Sequence, residues 1–266
     1  MAGHDTQLPR KMYTSGPKQS WDNFVKTEPF FAAVSDPKFL RSRLTPATEK
    51  EFFRLGENHI KAVLRDIKQH LDPNFTPTKA LDFGCGPGRL VIPLTHMCTK
   101  VTGIDSNPHM IEVARENSRR HGAYEADFYL SNELKKGLPD KYDFIHSVIV
   151  FQHIPVREGE TIVGRLLDHL EPGGVGALHF TLHRKAPLWR KLVNRARMFW
   201  PVNVIVNMIQ GKNLNHPFAQ MNSYDLPRLL QMLHARGIAK SFLCSSTDGE
   251  YFASTILFQS SKEVAT

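Results

Sequence analysis

The sequence predicts an α/β fold: a seven-stranded, mostly parallel sheet with an antiparallel C-terminal hairpin and helices on both faces. Three observations predict it. From Lys79 onward, short apolar runs of strand character alternate with segments of helical period. A glycine-rich turn, Gly84-Cys85-Gly86-Pro87-Gly88, links the first of these runs to the first helix of the series. Near the C-terminus, two strand-like runs flank Thr247-Asp248-Gly249, a hairpin turn signal.

The elements follow in order. Residues 1–20 mix Gly, Pro, Ser, Gln and Lys without periodicity, and are expected to form a mobile leader lacking the apolar stretch of a secretory signal. Residues 21–75 are expected to be a helical region. Its first part carries Trp21, Phe24, Phe30, Phe31 and Phe39, broken by Pro29 and Pro37, as in short helices or turns laid over an apolar surface. From Thr48 to His70, Phe52, Phe53, Leu55, Ile60, Val63, Leu64 and Ile67 share one helical face, and Asp72-Pro73 and Thr76-Pro77 stop it. Strands are expected at 80–84, 100–104, 124–130, 142–149, 174–182, 239–245 and 251–258, with helices at 88–97, 107–121, 157–170 and 223–236. The core is thus assigned to 76–183 and 223–262, with 184–222 as a helical insertion after the fifth strand.

Composition sets the outer limits. The 266 residues are 41% hydrophobic and 23% charged, ordinary for a globular chain and unlike a disordered, collagen-like or coiled-coil protein. No uninterrupted run of eighteen apolar residues occurs, so a spanning helix is not expected. Three cysteines, Cys85, Cys98 and Cys244, are too few and odd in number for a disulfide framework; a reducing, cytoplasmic location is expected. The net charge, 34 − 26 = +8, is concentrated. Seven basic residues and no acidic one lie between Arg184 and Lys212, which marks a local partner surface.

The chemistry is carried by Ala80-Leu81-Asp82-Phe83-Gly84-Cys85-Gly86-Pro87-Gly88-Arg89-Leu90. An apolar strand runs into a turn whose glycines let backbone approach a ligand, and the helix start favours an anionic group. The G-x-G-x-G spacing differs from the G-x-G-x-x-G of a nicotinamide-dinucleotide turn. Asp105 ends the second strand about twenty residues after the first glycine, where an acidic side chain meets ribose hydroxyls.

With these residues in view, the turn resembles motif I of class I S-adenosylmethionine-dependent methyltransferases. Asp105-Ser106-Asn107-Pro108-His109-Met110 resembles the second motif of that family, D-x-S-x-x-M. Leu170-Glu171-Pro172-Gly173-Gly174 resembles its turn before the fifth strand, and Tyr142-Asp143-Phe144-Ile145 through Phe151-Gln152-His153-Ile154-Pro155 its fourth strand and following loop. The resemblance covers residues 79–182, and 223–258 fits the closing helix and hairpin. It implies S-adenosyl-L-methionine as cofactor. Asp82 would hold its amino end; Gly84, Cys85, Gly86 and Gly88 would line the methionine part. Asp105 and Ser106 would meet the ribose, Met110 would pack on adenine, and Asn132 or Glu133 would lie near the adenine amino group.

The acceptor side is less constrained. A hydroxyl acceptor needs its proton removed. His153, just past the fourth strand at the crevice of the sheet, is the first candidate, and the alternative is local packing. His179 and His183 on the fifth strand are alternatives, and His146, inside the fourth, is expected to be structural. No Asn-Pro-Pro-Tyr-like tetrapeptide follows the fourth strand, no Pro-Cys pair offers a thiolate, and no Asp-Asn pair suggests a magnesium site, so no metal is expected. In the insertion, Leu188, Trp189, Leu192, Val193, Ala196, Phe199 and Trp200 share a helical face, Pro201 ends that helix, and Val202–Ile209 starts a second apolar piece. A cap over the acceptor pocket is the first reading; peripheral membrane contact through 184–210 is the second. The expectation is O-methylation of a small-molecule or saccharide acceptor, lipid-linked acceptors included. An N-acceptor, an RNA-modifying enzyme, disfavoured because no nucleic-acid appendage is present, and a cofactor-binding protein without turnover are the alternatives.

Overall fold

The computed structural model describes residues 22, 24–185, 193, 196, 200–209, 221–238 and 240–262. Its strands are β1 (Lys79–Phe83), β2 (Lys100–Asp105), β3 (Ala126–Leu130), β4 (Tyr142–Ser147), β5 (Leu170–Arg184), β6 (Lys240–Asp248) and β7 (Tyr251–Gln259). They form one sheet in the order β3-β2-β1-β4-β5-β7-β6. Pairs among β1 to β5 are parallel; β7 lies antiparallel between β5 and β6. The chain winds outward from β1 to β3 and then crosses back to β4. This puts the reversal of strand order between β1 and β4, the switch point outside whose carboxyl strand ends open α/β sheets bind their ligands.

The helices, in chain order, are α1 (Pro29–Val34), α2 (Pro46–His70), α3 (Val91–Thr95), α4 (Pro108–Arg120), α5 (Glu133–Lys136), α6 (Val156–Asp168), α7 (Trp200–Ile209) and α8 (Leu226–His234). On one face of the sheet, Ile60, Val63 and Ile67 of α2 and Ile111 and Ala114 of α4 pack with Ala80, Val101, Phe144, Val175 and Ala177. On the other, Val163 and Leu166 of α6 and Leu229 and Leu233 of α8 pack with Leu81, Phe83, Ile145, Leu178 and Ile256. Strand side chains alternate between the two cores, as a sheet covered on both faces requires.

The N-terminal aromatics form a third cluster. Phe30 and Phe39 meet Phe52 edge-on at 4.7 and 5.2 Å, and Phe53 meets Phe52 at 5.3 Å. Each such ring stabilises the fold by about 1.5–3 kcal/mol when fully buried. The cluster ties α1 to α2. α2 begins cleanly because Thr45 and Thr48 cap each other's backbone N–H and Pro46 takes the first helical position.

Two local expectations need correction. The Leu170–Gly174 turn does not precede β5 but lies within it, as an irregularity where pairing shifts between Tyr142/Leu170 and Phe144/Val175, with Gly173 at φ 76°. The helix expected at 88–97 is the shorter Val91–Thr95, since the glycine turn continues through Leu90. In the insertion, most of 184–222 lies outside the described residues, including all of the helical face from Leu188 to Phe199 except Val193 and Ala196. The second apolar piece is α7, with Pro201 in its first turn.

Candidate active site

The site is built where β1 and β2 end. Gly84 has φ 80°, and a Cβ there would lie 2.1 Å from Val150 Cγ2; only glycine lets the turn pass beneath the loop after β4. The turn is held from outside, because Asn117 Nδ2 of α4 donates to the Pro87 carbonyl at 2.9 Å. Cys85 is buried, and burial pushes its thiol well above the ordinary range, so it serves as a small filler and not as a nucleophile.

Asp105 joins the two motifs. Its Oδ2 accepts the Gly86 N–H at 3.0 Å and its Oδ1 the Asn107 N–H at 2.9 Å. Burial raises its carboxyl pKa, and these backbone donors oppose the rise. Asn107 then caps α4, its Oδ1 accepting from His109 N and Met110 N, which seats Met110 in the first turn as a buried side chain. A Cβ at Gly86 would meet Ala33 Cβ of α1 at 3.8 Å, an ordinary contact. The glycine turn, Asp105 and the start of α4 with Met110 are thus brought together at the ends of β1 and β2. Ser106 and Asn132 are both exposed. Glu133 opens α5 and pairs with Lys136 at 3.1 Å.

Beneath the turn lies a polar cluster that motif reading alone does not reveal. Asp82 is 2% exposed and His146 1% exposed, and Asp82 Oδ1 lies 2.9 Å from His146 Nδ1. His146 Nε2 lies 3.0 Å from His59 Nε2 on α2. Asp82 and His146 pair in register on β1 and β4, each two residues beyond an apolar neighbour, Ala80 and Phe144, on the α2 face. His179, two residues beyond Ala177, adds a buried Nδ1 without a hydrogen-bond partner among the described residues. Burial first, then the neighbouring His146, Arg89 and His179, push the His59 imidazole down to about 3. The signal in the sequence is the break in apolar alternation at Asp82, His146 and His179.

The loop after β4 carries the residues that the sequence assigns to the acceptor side. Ile149, half exposed, takes φ 61°, a strained conformation for a β-branched residue. The buried Gln152 pins the chain on both sides: Thr181 Oγ1 donates to its Oε1 at 3.2 Å, and Asn222 N donates to its carbonyl at 2.7 Å. Its Nε2 lies 3.2 Å from Nε2 of His153, which is exposed at the sheet edge. Tyr224 closes the frame, its hydroxyl donating to the Ile154 carbonyl at 2.9 Å. Among the described residues no group of three metal-ligating side chains occurs.

Residues 80–174 match the family described as a methyltransferase domain. The chain is 33% identical over 109 residues to the ubiquinone biosynthesis O-methyltransferase of Paramagnetospirillum magneticum, covering 41% of this chain and 42% of that protein. It is 34% identical over 122 residues to the ribosomal protein L11 methyltransferase of Burkholderia thailandensis, covering 45% and 36%. The chain therefore spans less than half the length of these two curated relatives. In fold it is similar to magnesium protoporphyrin IX methyltransferase of Synechocystis PCC 6803 with bound S-adenosylhomocysteine, at a TM-score of 0.57 and 18% identity over 90% of this chain and 94% of the other. Strand order, glycine turn and family match together define a class I S-adenosylmethionine-dependent methyltransferase domain. The match lies within residues 80–174, and the cofactor of that class is S-adenosylmethionine.

Proposed function

We propose that this protein transfers a methyl group from S-adenosylmethionine to a hydroxyl of a small-molecule or saccharide acceptor, lipid-linked acceptors included. The observation that carries the reading is the Asp105–Gly86 contact, which joins the proposed ribose-reading carboxylate to the glycine turn. When bound, the cofactor supplies a methyl group activated by its sulfonium. Asp105, fixed by two backbone donors, keeps lone pairs for ribose hydroxyls; Met110 offers its apolar side chain to the base; Ser106, Asn132 and Glu133 rim the nucleoside.

Displacement of this kind asks mainly for alignment of the acceptor. The loop from Ile149 to Pro155, stapled to β5 and to residues 221–225 through Gln152, gives that alignment a rigid frame. His153 is the proposed base. With Gln152 Oε1 engaged by Thr181, the amide nitrogen faces His153 Nε2, which makes that ring nitrogen the acceptor of the pair. The relative named as an O-methyltransferase supports a hydroxyl acceptor; an N-acceptor is the alternative.

A peripheral membrane contact is the second reading, favoured by α7. Ile205, Met208 and Ile209 are 52%, 61% and 78% exposed, beside a sequence rich in Arg and Lys. No helix among the described residues is long and apolar enough to cross a membrane. The three cysteines are free, which supports a reducing, cytoplasmic setting.

The test is calorimetric titration with S-adenosylmethionine and, in parallel, NADH, followed by transfer of labelled methyl to hydroxyl and amine acceptors. Micromolar binding of the first alone is expected. His153→Ala should then lower turnover by about 10²–10⁴-fold; a loss below about tenfold in a folded variant returns His153 to a structural role.

A further inference from the structure

We infer that His59 is a cofactor-binding residue, whose Nδ1 accepts a hydrogen bond from the ammonium group of the cofactor's amino-acid end, and that Asp82 and His146 set it up for this by fixing its tautomer. The inference rests on the proposed use of S-adenosylmethionine and deepens it.

Two short contacts fix where the protons sit. An ionised Asp82 carboxylate can only accept, so the His146 nitrogen 2.9 Å away, Nδ1, carries the proton. A neutral His146 then presents a lone pair at Nε2. The His59 nitrogen 3.0 Å from it, Nε2, must donate. A neutral His59 is left with its lone pair on Nδ1, and that atom has no protein partner among the described residues. The carboxylate thus decides, two rings away, that the free edge of His59 is an acceptor.

The surroundings define what that acceptor can meet. Arg89, at the end of the glycine turn, packs beneath α2: a Cβ on Gly56, one helical turn before His59, would lie 2.2 Å from the Arg89 carbonyl oxygen and 3.0 Å from its Cγ. The Arg89 guanidinium is largely removed from water, which lowers its pKa, and it makes no ion pair or hydrogen bond among the described residues. One guanidinium that feels the Asp82 charge but makes no ion pair with it, one carboxylate engaged by His146 through a single oxygen, and one imidazole held as an acceptor are complementary to a zwitterion. The α-carboxylate of an amino acid matches Arg89, and its ammonium matches Asp82 and His59. His59 remains neutral beside this cation because the cluster opposes its protonation.

The experiment has two readouts on the full chain. Two-bond ¹H–¹⁵N correlation spectra should show His59 as the Nε2–H tautomer and His146 as the Nδ1–H tautomer near neutral pH; His59 protonated on Nδ1 overturns the inference. Titrations then compare S-adenosylhomocysteine, which has the amino-acid end, with 5′-methylthioadenosine, which lacks it. His59→Ala should weaken S-adenosylhomocysteine by about ten- to a hundredfold and leave methylthioadenosine unchanged. His59→Gln, which keeps a donor for His146 and an acceptor for the ligand, should recover most of the loss. An unchanged affinity in His59→Ala, or an equal loss for both ligands in the folded variant, overturns the inference. Failure of the wild-type protein to bind S-adenosylhomocysteine would instead overturn the cofactor reading.

Discussion

The carboxylate of Asp105 accepts the backbone N–H of Gly86 at 3.0 Å, so the end of β2 holds the turn that follows β1. One side chain therefore shapes the turn and is the residue proposed to read the ribose. Asp105→Ala should weaken S-adenosylmethionine by roughly 1.5–3 kcal/mol, the range for hydrogen bonds to a charged group. Calorimetry on the folded variant measures this, and unchanged affinity removes Asp105 from the site.

Gly84 and Val150 are coupled across the crevice floor. Gly84→Ala meets Val150 Cγ2 at 2.1 Å and places an alanine at φ 80°. Steric overlap costs about 1–3 kcal/mol and the left-handed backbone about 1–2 kcal/mol. Adding Val150→Ala should recover the first part and not the second. Urea denaturation of the two singles and the double would show this; simple additivity would mean that the contact is relieved elsewhere.

Acid should destabilise the fold through His59. Its folded pKa lies at about 3, below the ordinary 6.5, so between these values the unfolded chain binds a proton that the folded chain refuses. The stability is complete above about 6.5 and is lost as pH falls toward 3. His59→Gln should therefore show a smaller drop in urea midpoint between about pH 7.5 and about pH 5 than the parent. An identical drop would assign the acid sensitivity to other groups, His179 foremost, which burial also holds below its ordinary range.

Ile149 carries backbone strain at the mouth of the crevice. Ile149→Gly removes a left-handed penalty of about 1–2 kcal/mol and adds about 0.5–1 kcal/mol of chain entropy, so a small rise in Tm is expected. Turnover should fall, because the loop that frames the acceptor loosens. A rise in both would separate Ile149 from the acceptor site.

Much of this architecture is legible in the chain because it is written in local periods. Ala80–Phe83 and Val101–Ile104 read as strands buried on both faces, and both are. β3 is shorter than its apolar run indicates, because Tyr124, 77% exposed, belongs to the turn before it. The glycine turn and Asp105 lie within about twenty residues of each other, and short-range spacing suffices to find them. The Asp82–His146–His59 chain is different. His59 and His146 are 87 residues apart and meet only because β1 pairs with β4 and α2 covers that pair. A histidine on a helix that is otherwise apolar on one face carries no local mark of such a partner. His153 shows the opposite case: its place beside the crevice is readable from the motif order, while the Gln152 amide that faces it depends on β5 and on residues brought back at 221–225.

β5 continues well past its parallel neighbour, pairing with β7 as far as Arg184–Tyr251, and the chain leaves this ribbon at Lys185, whose N–H donates to the Glu250 carbonyl. It returns at Asn222, fastened to Gln152. Departure and re-entry are thus each clamped to backbone that belongs to the sheet. Such an arrangement is a socket: whatever stands between the two clamps can be lengthened, shortened or exchanged while strand register and cofactor cradle stay as they are. Chimeras spliced at these two points would show whether the segment between them selects the acceptor.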